Sequence, residues 1–126
     1  MREDLIRLLE ALGLSGAAED PFLEYIINDV SWRIKNETNQ AEVPEGLIHV
    51  AVNMAAGEYL NVKRDCGALE GFELETAVKQ IQEGDTNITF ALGEGSMTPE
   101  QRLNNLIDWL INGSRNEIFR YRRLAW

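Results

Sequence analysis

Apolar residues recur at helical spacing over most of this chain. Leu5, Leu8, Leu9 and Leu12 form one stripe, closed by Gly13 and Ser15-Gly16. Asp20-Pro21 reads as an N-cap followed by a first-turn proline, and Leu23, Ile26, Ile27, Val30 and Ile34 mark a second helix to about Asn36. Thr38-Asn39-Gln40 is a predicted loop. Pro44 with Glu45 predicts the start of a third helix, because the first turn leaves its N–H groups unbonded and an acid suits the positive helix end. That helix, to about Val62, is apolar nearly all round: Leu47, Ile48, Val50, Ala51, Val52, Met54, Ala55, Ala56, Tyr59, Leu60. Such a pattern belongs to the buried centre of a bundle. Its less apolar line is His49, Asn53 and Gly57, and Asp65-Cys66-Gly67 closes the segment.

The period then changes. Val78 to Glu83 and Thr86 to Phe90 flank Gly84-Asp85 and predict a β-hairpin over about residues 77–91, with a glycine-first two-residue loop of type II′. In that register Ile81 faces Ile88, while Gln82 faces Asn87 and Gln80 faces Thr89. One side is therefore apolar and the other polar but uncharged. An isolated hairpin is marginal, so this one must pack on its own domain or on a neighbouring chain. Leu92-Gly93-Glu94-Gly95-Ser96 reads as a linker. Thr98-Pro99-Glu100-Gln101 is a helix start, with Thr98 as N-cap, Pro99 at N1 and Gln101 placed as in a capping box. Leu103, Leu106, Ile107, Leu110 and Ile111 supply the buried stripe, Asn112-Gly113 ends it, and Trp109 lies off it, facing a partner or capping the core. The expected fold is mainly α: a bundle of about four helices with an inserted β-hairpin and a C-terminal basic arm.

Charge sharpens this division. The formal net charge is −9, yet Arg115, Arg120, Arg122 and Arg123 face only Glu117 in residues 113–126, a local +3 that leaves −12 on residues 1–112. The reading is an acidic helical domain, 1–112, and a basic docking arm, 113–126. An acidic body repels nucleic acid. A basic, aromatic arm suits a protein partner, since Arg, Tyr and Trp are favoured interface anchors. The competing readings are a last helix packed on its own domain, with Phe119, Leu124 and Trp126 as core, and arginines on phosphates with aromatics stacked on bases.

Composition narrows the chemistry. A chain of 126 residues with 44 % hydrophobic content suits one domain with a real core. The longest apolar run, Val50 to Ala56, is too short for a bilayer, and Met1-Arg2-Glu3-Asp4 is too acidic for a signal peptide. A single Cys66 excludes an internal disulfide and fits a reducing compartment, and one His beside one Cys argues against zinc. His49 has no nucleophile or second ligand nearby in sequence. Nothing marks Cys66 as an activated thiol. Gly93-Glu94-Gly95-Ser96 lacks the lysine of a phosphate loop and places an acid where the anion would sit. Glu70, Glu73 and Glu75 lack the spacing of a calcium loop. The expectation is a protein without enzymatic activity and without a cofactor or metal.

The hairpin stretch Val78-Lys79-Gln80-Ile81-Gln82-Glu83-Gly84-Asp85-Thr86-Asn87-Ile88-Thr89-Phe90 resembles the V-K-x-I-x-x-G-D-T-x-x-x-F segment of head–tail connector (neck adaptor) proteins of tailed phages and prophages. The order of elements is similar too, as is the ending Phe119-Arg120-Tyr121-Arg122-Arg123-Leu124, so the resemblance runs from about Phe22 to the end. It implies a virion neck protein, assembled in the bacterial cytoplasm, that forms a ring with itself, typically dodecameric, under the portal protein. Such a ring extends the DNA channel, lets DNA pass without specific binding, and meets the next neck or tail component; no membrane is involved. The resemblance assigns portal docking to Arg115, Phe119, Arg120, Tyr121, Arg122, Arg123 and Trp126. It places Gln80, Gln82, Gly84, Asp85, Asn87 and Thr89 at subunit contacts or on the channel side. The alternatives are a host helical protein-interaction module and a DNA-packaging accessory that binds nucleic acid through the basic tail.

Overall fold

A computed structural model describes residues 1–14, 16–66 and 99–122. These residues are mainly helical: α1 (Arg2–Ala11), α2 (Phe22–Thr38), α3 (Ile48–Asp65), α4 (Pro99–Asn112) and the short α5 (Arg115–Arg120), with single 3-10 turns at Ala17–Glu19 and Glu45–Leu47. The predicted hairpin, the glycine linker and the Thr98 cap lie outside the described residues, as do Arg123 to Trp126.

The nearly all-apolar helix takes the central place. α3 packs against α1, α2 and α4, and buries Val50, Ala51, Val52, Met54, Ala55, Ala56, Tyr59 and Leu60. Around it α1 contributes Leu5 and Leu9, α2 contributes Leu23, Ile26, Val30 and Ile34, and α4 contributes Leu106, Ile107 and Leu110. These are the predicted stripes, with Leu8, Ile27, Leu103 and Ile111 packed at their margins. Gly57 lets α4 come close. A Cβ there would stand 2.7 Å from Ile111 Cγ1, 2.9 Å from Leu110 Cβ and 3.2 Å from the Ile107 carbonyl oxygen. The line His49, Asn53, Gly57 is therefore not one polar face: Gly57 is buried under α4 and His49 is exposed at the other end.

Helix ends depart from expectation in two places. α2 continues to Thr38, because the buried Thr38 hydroxyl donates to the Ile34 carbonyl oxygen at 2.7 Å and so needs no loop partner. Asn39, at φ 54°, then stops the helix in the left-handed conformation that asparagine tolerates. Pro44 does not begin α3. Its ψ of 140° is extended, and its carbonyl accepts from the Leu47 N–H at 2.9 Å to build the 3-10 turn; α3 starts at Ile48 and runs past Val62 to Asp65. α4 ends before Gly113, as expected, and does so without a positive φ at that residue. Gly113 is needed for space: its missing Cβ would meet the Trp109 carbonyl oxygen at 2.5 Å and the Trp109 indole at 3.1 Å. Trp109 itself is half-buried against the core.

At the other end of α2 the predicted cap forms. Asp20 is extended (φ −80°, ψ 116°), Pro21 is already helical, and the Phe22 N–H donates to Asp20 Oδ1 at 2.9 Å.

Candidate docking surface

The basic segment folds back on the body along its described length. α5 lies against the C-terminal end of α2 and the start of α3, and Ile118 is buried there, 2 % exposed. Polar contacts surround that anchor. Arg115 approaches Glu37 of α2 at 3.5 Å, His49 Nε2 lies 3.0 Å from Glu117 Oε2, and Gln40 Nε2 donates to the Tyr121 carbonyl oxygen. The Tyr121 phenol lies over Gly46, where any Cβ would overlap it. The seat of α5 is thus Glu37, Gln40, Gly46 and His49, none of which was singled out from sequence as a seat for the arm.

What faces outward from this segment is cationic and aromatic. Phe119 is 49 % exposed, with the Arg115 guanidinium 6.0 Å from its ring centre, and Arg120 and Arg122 are exposed beside it. Phe119 is therefore not core; Ile118, its neighbour, takes that role. Of the residues assigned to docking by resemblance, Arg115, Phe119, Arg120, Tyr121 and Arg122 are brought together at the end of the bundle. Arg115 and Tyr121 are partly engaged with the body. Arg123 and Trp126 lie outside the described residues, as do Gln80, Gln82, Gly84, Asp85, Asn87 and Thr89.

A second aromatic surface was not singled out from sequence. On the outer side of α2, Tyr25 is 65 % and Trp32 61 % exposed, with Phe22 at 38 %. Phe22 and Tyr25 pack ring to ring with centroids 5.3 Å apart, and Lys35 Nζ lies 4.8 Å from the Trp32 ring centre. The signal was available: Tyr25 and Trp32 fall opposite the stripe Leu23, Ile26, Val30, Ile34 on a helical wheel.

The titratable clusters read as clamps. Asp20 Oδ2 accepts from Lys63 Nζ at 2.7 Å and from the Tyr59 hydroxyl at 3.0 Å. The Lys63 hydrogen bond, helped by the Phe22 N–H, lowers the Asp20 pKa, and Asp20 in turn raises that of Lys63. Burial, then Asp20, raises the Tyr59 pKa, so the phenol keeps its proton. His49 is exposed and pairs with Glu117, and Cys66 is exposed at the end of α3. Among the described residues no group of three metal-ligating side chains gathers, and no helix is long and apolar enough to cross a membrane.

No protein-family model, curated protein or solved structure matches the chain.

Proposed function

We propose that this chain is a structural head–tail connector of a tailed phage or prophage, a subunit of a ring beneath the portal that extends the DNA channel and joins head to tail. The observation that carries the reading is the segregation of charge. A body of formal charge −12 offers phosphates no cationic track, while a +3 end offers exposed Phe119, Arg120 and Arg122 to a protein. In this reading the segment Arg115 to Trp126 docks on the portal. The hairpin expected over about 77–91 reaches a neighbouring subunit or lines the channel with its uncharged Gln80, Gln82, Asn87 and Thr89 side.

Charge reversal at Arg120 and Arg122 tests the arm. Both side chains are exposed, so Arg120→Glu with Arg122→Glu is expected to leave the helical circular dichroism unchanged and to weaken portal binding at least about a hundredfold, on the scale of lost interfacial charge pairs. Unchanged binding would take the docking role away from the arm.

A second reading has one specific observation behind it. The exposed Tyr25 and Trp32 also suit a host helical interaction module with a single protein partner. Retention of the chain on a host protein but not on a portal ring would favour it. A nucleic-acid role would instead appear as DNA binding that falls steeply with salt.

A further inference from the structure

We propose that α5 exchanges between two copies of this chain: α4 and α5 merge into one helix over residues 99–120, and the α5 of each copy takes, on the other's bundle, the seat it occupies here on its own. This rests on the seat of α5 and on its link to α4, and not on the connector reading.

The link is short and lies at the surface. α4 ends at Asn112 and α5 begins at Arg115, with Gly113 and Ser114 between them. Asn112 and Gly113 are exposed, so the link can change without moving a core residue. It is also close to a helix already. The Gly113 N–H donates to the Trp109 carbonyl oxygen at 2.8 Å, in the i to i−4 pattern of α4. Ser114, at φ −111° and ψ 20°, turns the chain out of that path. Returning both residues to helical angles gives a single helix about 33 Å long.

The sequence suits that longer helix. Ile107, Ile111 and Ile118 are spaced four and seven residues apart, so the anchor of α5 falls in line with the buried stripe of α4. In a straight helix Ile118 leaves its own seat. A second copy supplies the same one: Glu37 for Arg115, His49 for Glu117, Gln40 for the Tyr121 carbonyl oxygen and Gly46 for its phenol. At the seat, exchange makes only contacts that this chain already makes, and two copies make each of them twice. Charge favours it as well. Residues 1–112 carry −12, and each copy lends the other a segment in which Arg115, Arg120 and Arg122 outweigh Glu117.

Gly113 sets the balance between the two forms. In the folded-back turn a Cβ there would stand 2.5 Å from the Trp109 carbonyl oxygen. In a straight helix alanine is the better residue. Gly113→Ala therefore penalises the folded-back turn and favours the merged helix, once in each copy. A longer hinge does the reverse, because it lets α5 fold back freely.

The parent chain, refolded at about 1 mM, near the effective concentration set by a short link, should contain a dimer of twice 14.3 kDa by sedimentation. Gly113→Ala, its helix content verified by circular dichroism, should lower the dissociation constant at least about tenfold. About four glycine and serine residues inserted between positions 113 and 114 should return it to 14.3 kDa. A cross-link reads the exchange directly. Two Cys66→Ser chains, one with His49→Cys and one with Glu117→Cys, are refolded together and treated with a short bifunctional maleimide. His49 and Glu117 meet at 3.0 Å within one chain here, so product between chains is expected in the dimer fraction, where α5 has crossed over. A mass of 14.3 kDa throughout, in the parent chain and in Gly113→Ala, overturns the proposal. A dimer without the cross-chain product, or one that survives the longer hinge, overturns it as well. If Gly113→Ala fails to fold, the parent chain at about 1 mM decides alone. Portal binding through the arm is a separate readout, so either reading can fail without the other.

Discussion

At Asp20 a single carboxylate caps α2 through the Phe22 N–H and holds Tyr59 and Lys63 of α3. Asp20→Ala removes a cap and a partly shielded ion pair together, and should cost about 1–3 kcal/mol in urea unfolding near neutral pH. The pH dependence follows from the direction of the shifts. The folded-state pKa of Asp20 lies below its ordinary 3.8, so its contribution is complete above that value and fades as pH falls through the lower folded value. Lys63 is raised above 10.5, so its contribution is complete below that value and is lost as pH rises through the higher folded one. Unfolding curves of Asp20→Ala should therefore differ most from those of the parent protein between these limits and converge with them in acid. Gly57 makes a second point at this scale. Alanine is ordinarily the better helix residue by about 1 kcal/mol. Here its methyl would press on the Leu110 Cβ and the Ile107 carbonyl oxygen, and neither is the free end of a flexible chain. Gly57→Ala should lower stability by about 1–3 kcal/mol in the same unfolding assay, the cost of overpacking.

Among the elements, α5 has the lightest hold. One buried residue, Ile118, anchors it, and the contacts around it are surface pairs of small individual worth. Ile118→Ala should cost about 2–4 kcal/mol if α5 unfolds only with the rest of the molecule. A much smaller loss, with amide exchange quickened only over residues 114–122, would mark α5 as a separately opening unit. Gly46→Ala should displace the Tyr121 phenol, the mobile end of its side chain, and change global stability by less than about 1 kcal/mol. The helices themselves were legible because stripes such as Leu23, Ile26, Val30, Ile34 record which face meets the core. The Asp20 cap was legible because its chemistry is local. Pro44 was misplaced because its ψ, not its φ, decides whether a helix starts there. Gly113 was legible as the stop of α4, while the close approach of the Trp109 carbonyl oxygen and indole that favours glycine there was not. The seat of α5 was hidden because Glu37, Gln40, Gly46 and His49 come together only when α2 and α3 lie side by side, and no local pattern announces it. The exposed Tyr25 and Trp32 were legible as residues left over from the buried stripe of α2.

On the scale of the whole molecule, an apolar α3 wrapped by amphipathic helices leaves charge to the surface, and that charge is divided unequally. The cationic end is tied to α2 and α3 through α5 rather than hanging from them. A docking arm of this kind would present its outward side, Phe119, Arg120 and Arg122, from a helix already seated on the bundle, which limits the ordering entropy lost on binding. A ring subunit with such an end binds through many copies at once, so modest single-site affinity becomes strong collective attachment. The most direct test is the mass, by light scattering, of the full chain mixed with the cognate portal ring. The expected result is a complex holding one copy of this chain per portal subunit, lost with Arg120→Glu and Arg122→Glu. A portal ring whose mass is unchanged by excess chain would contradict the connector proposal.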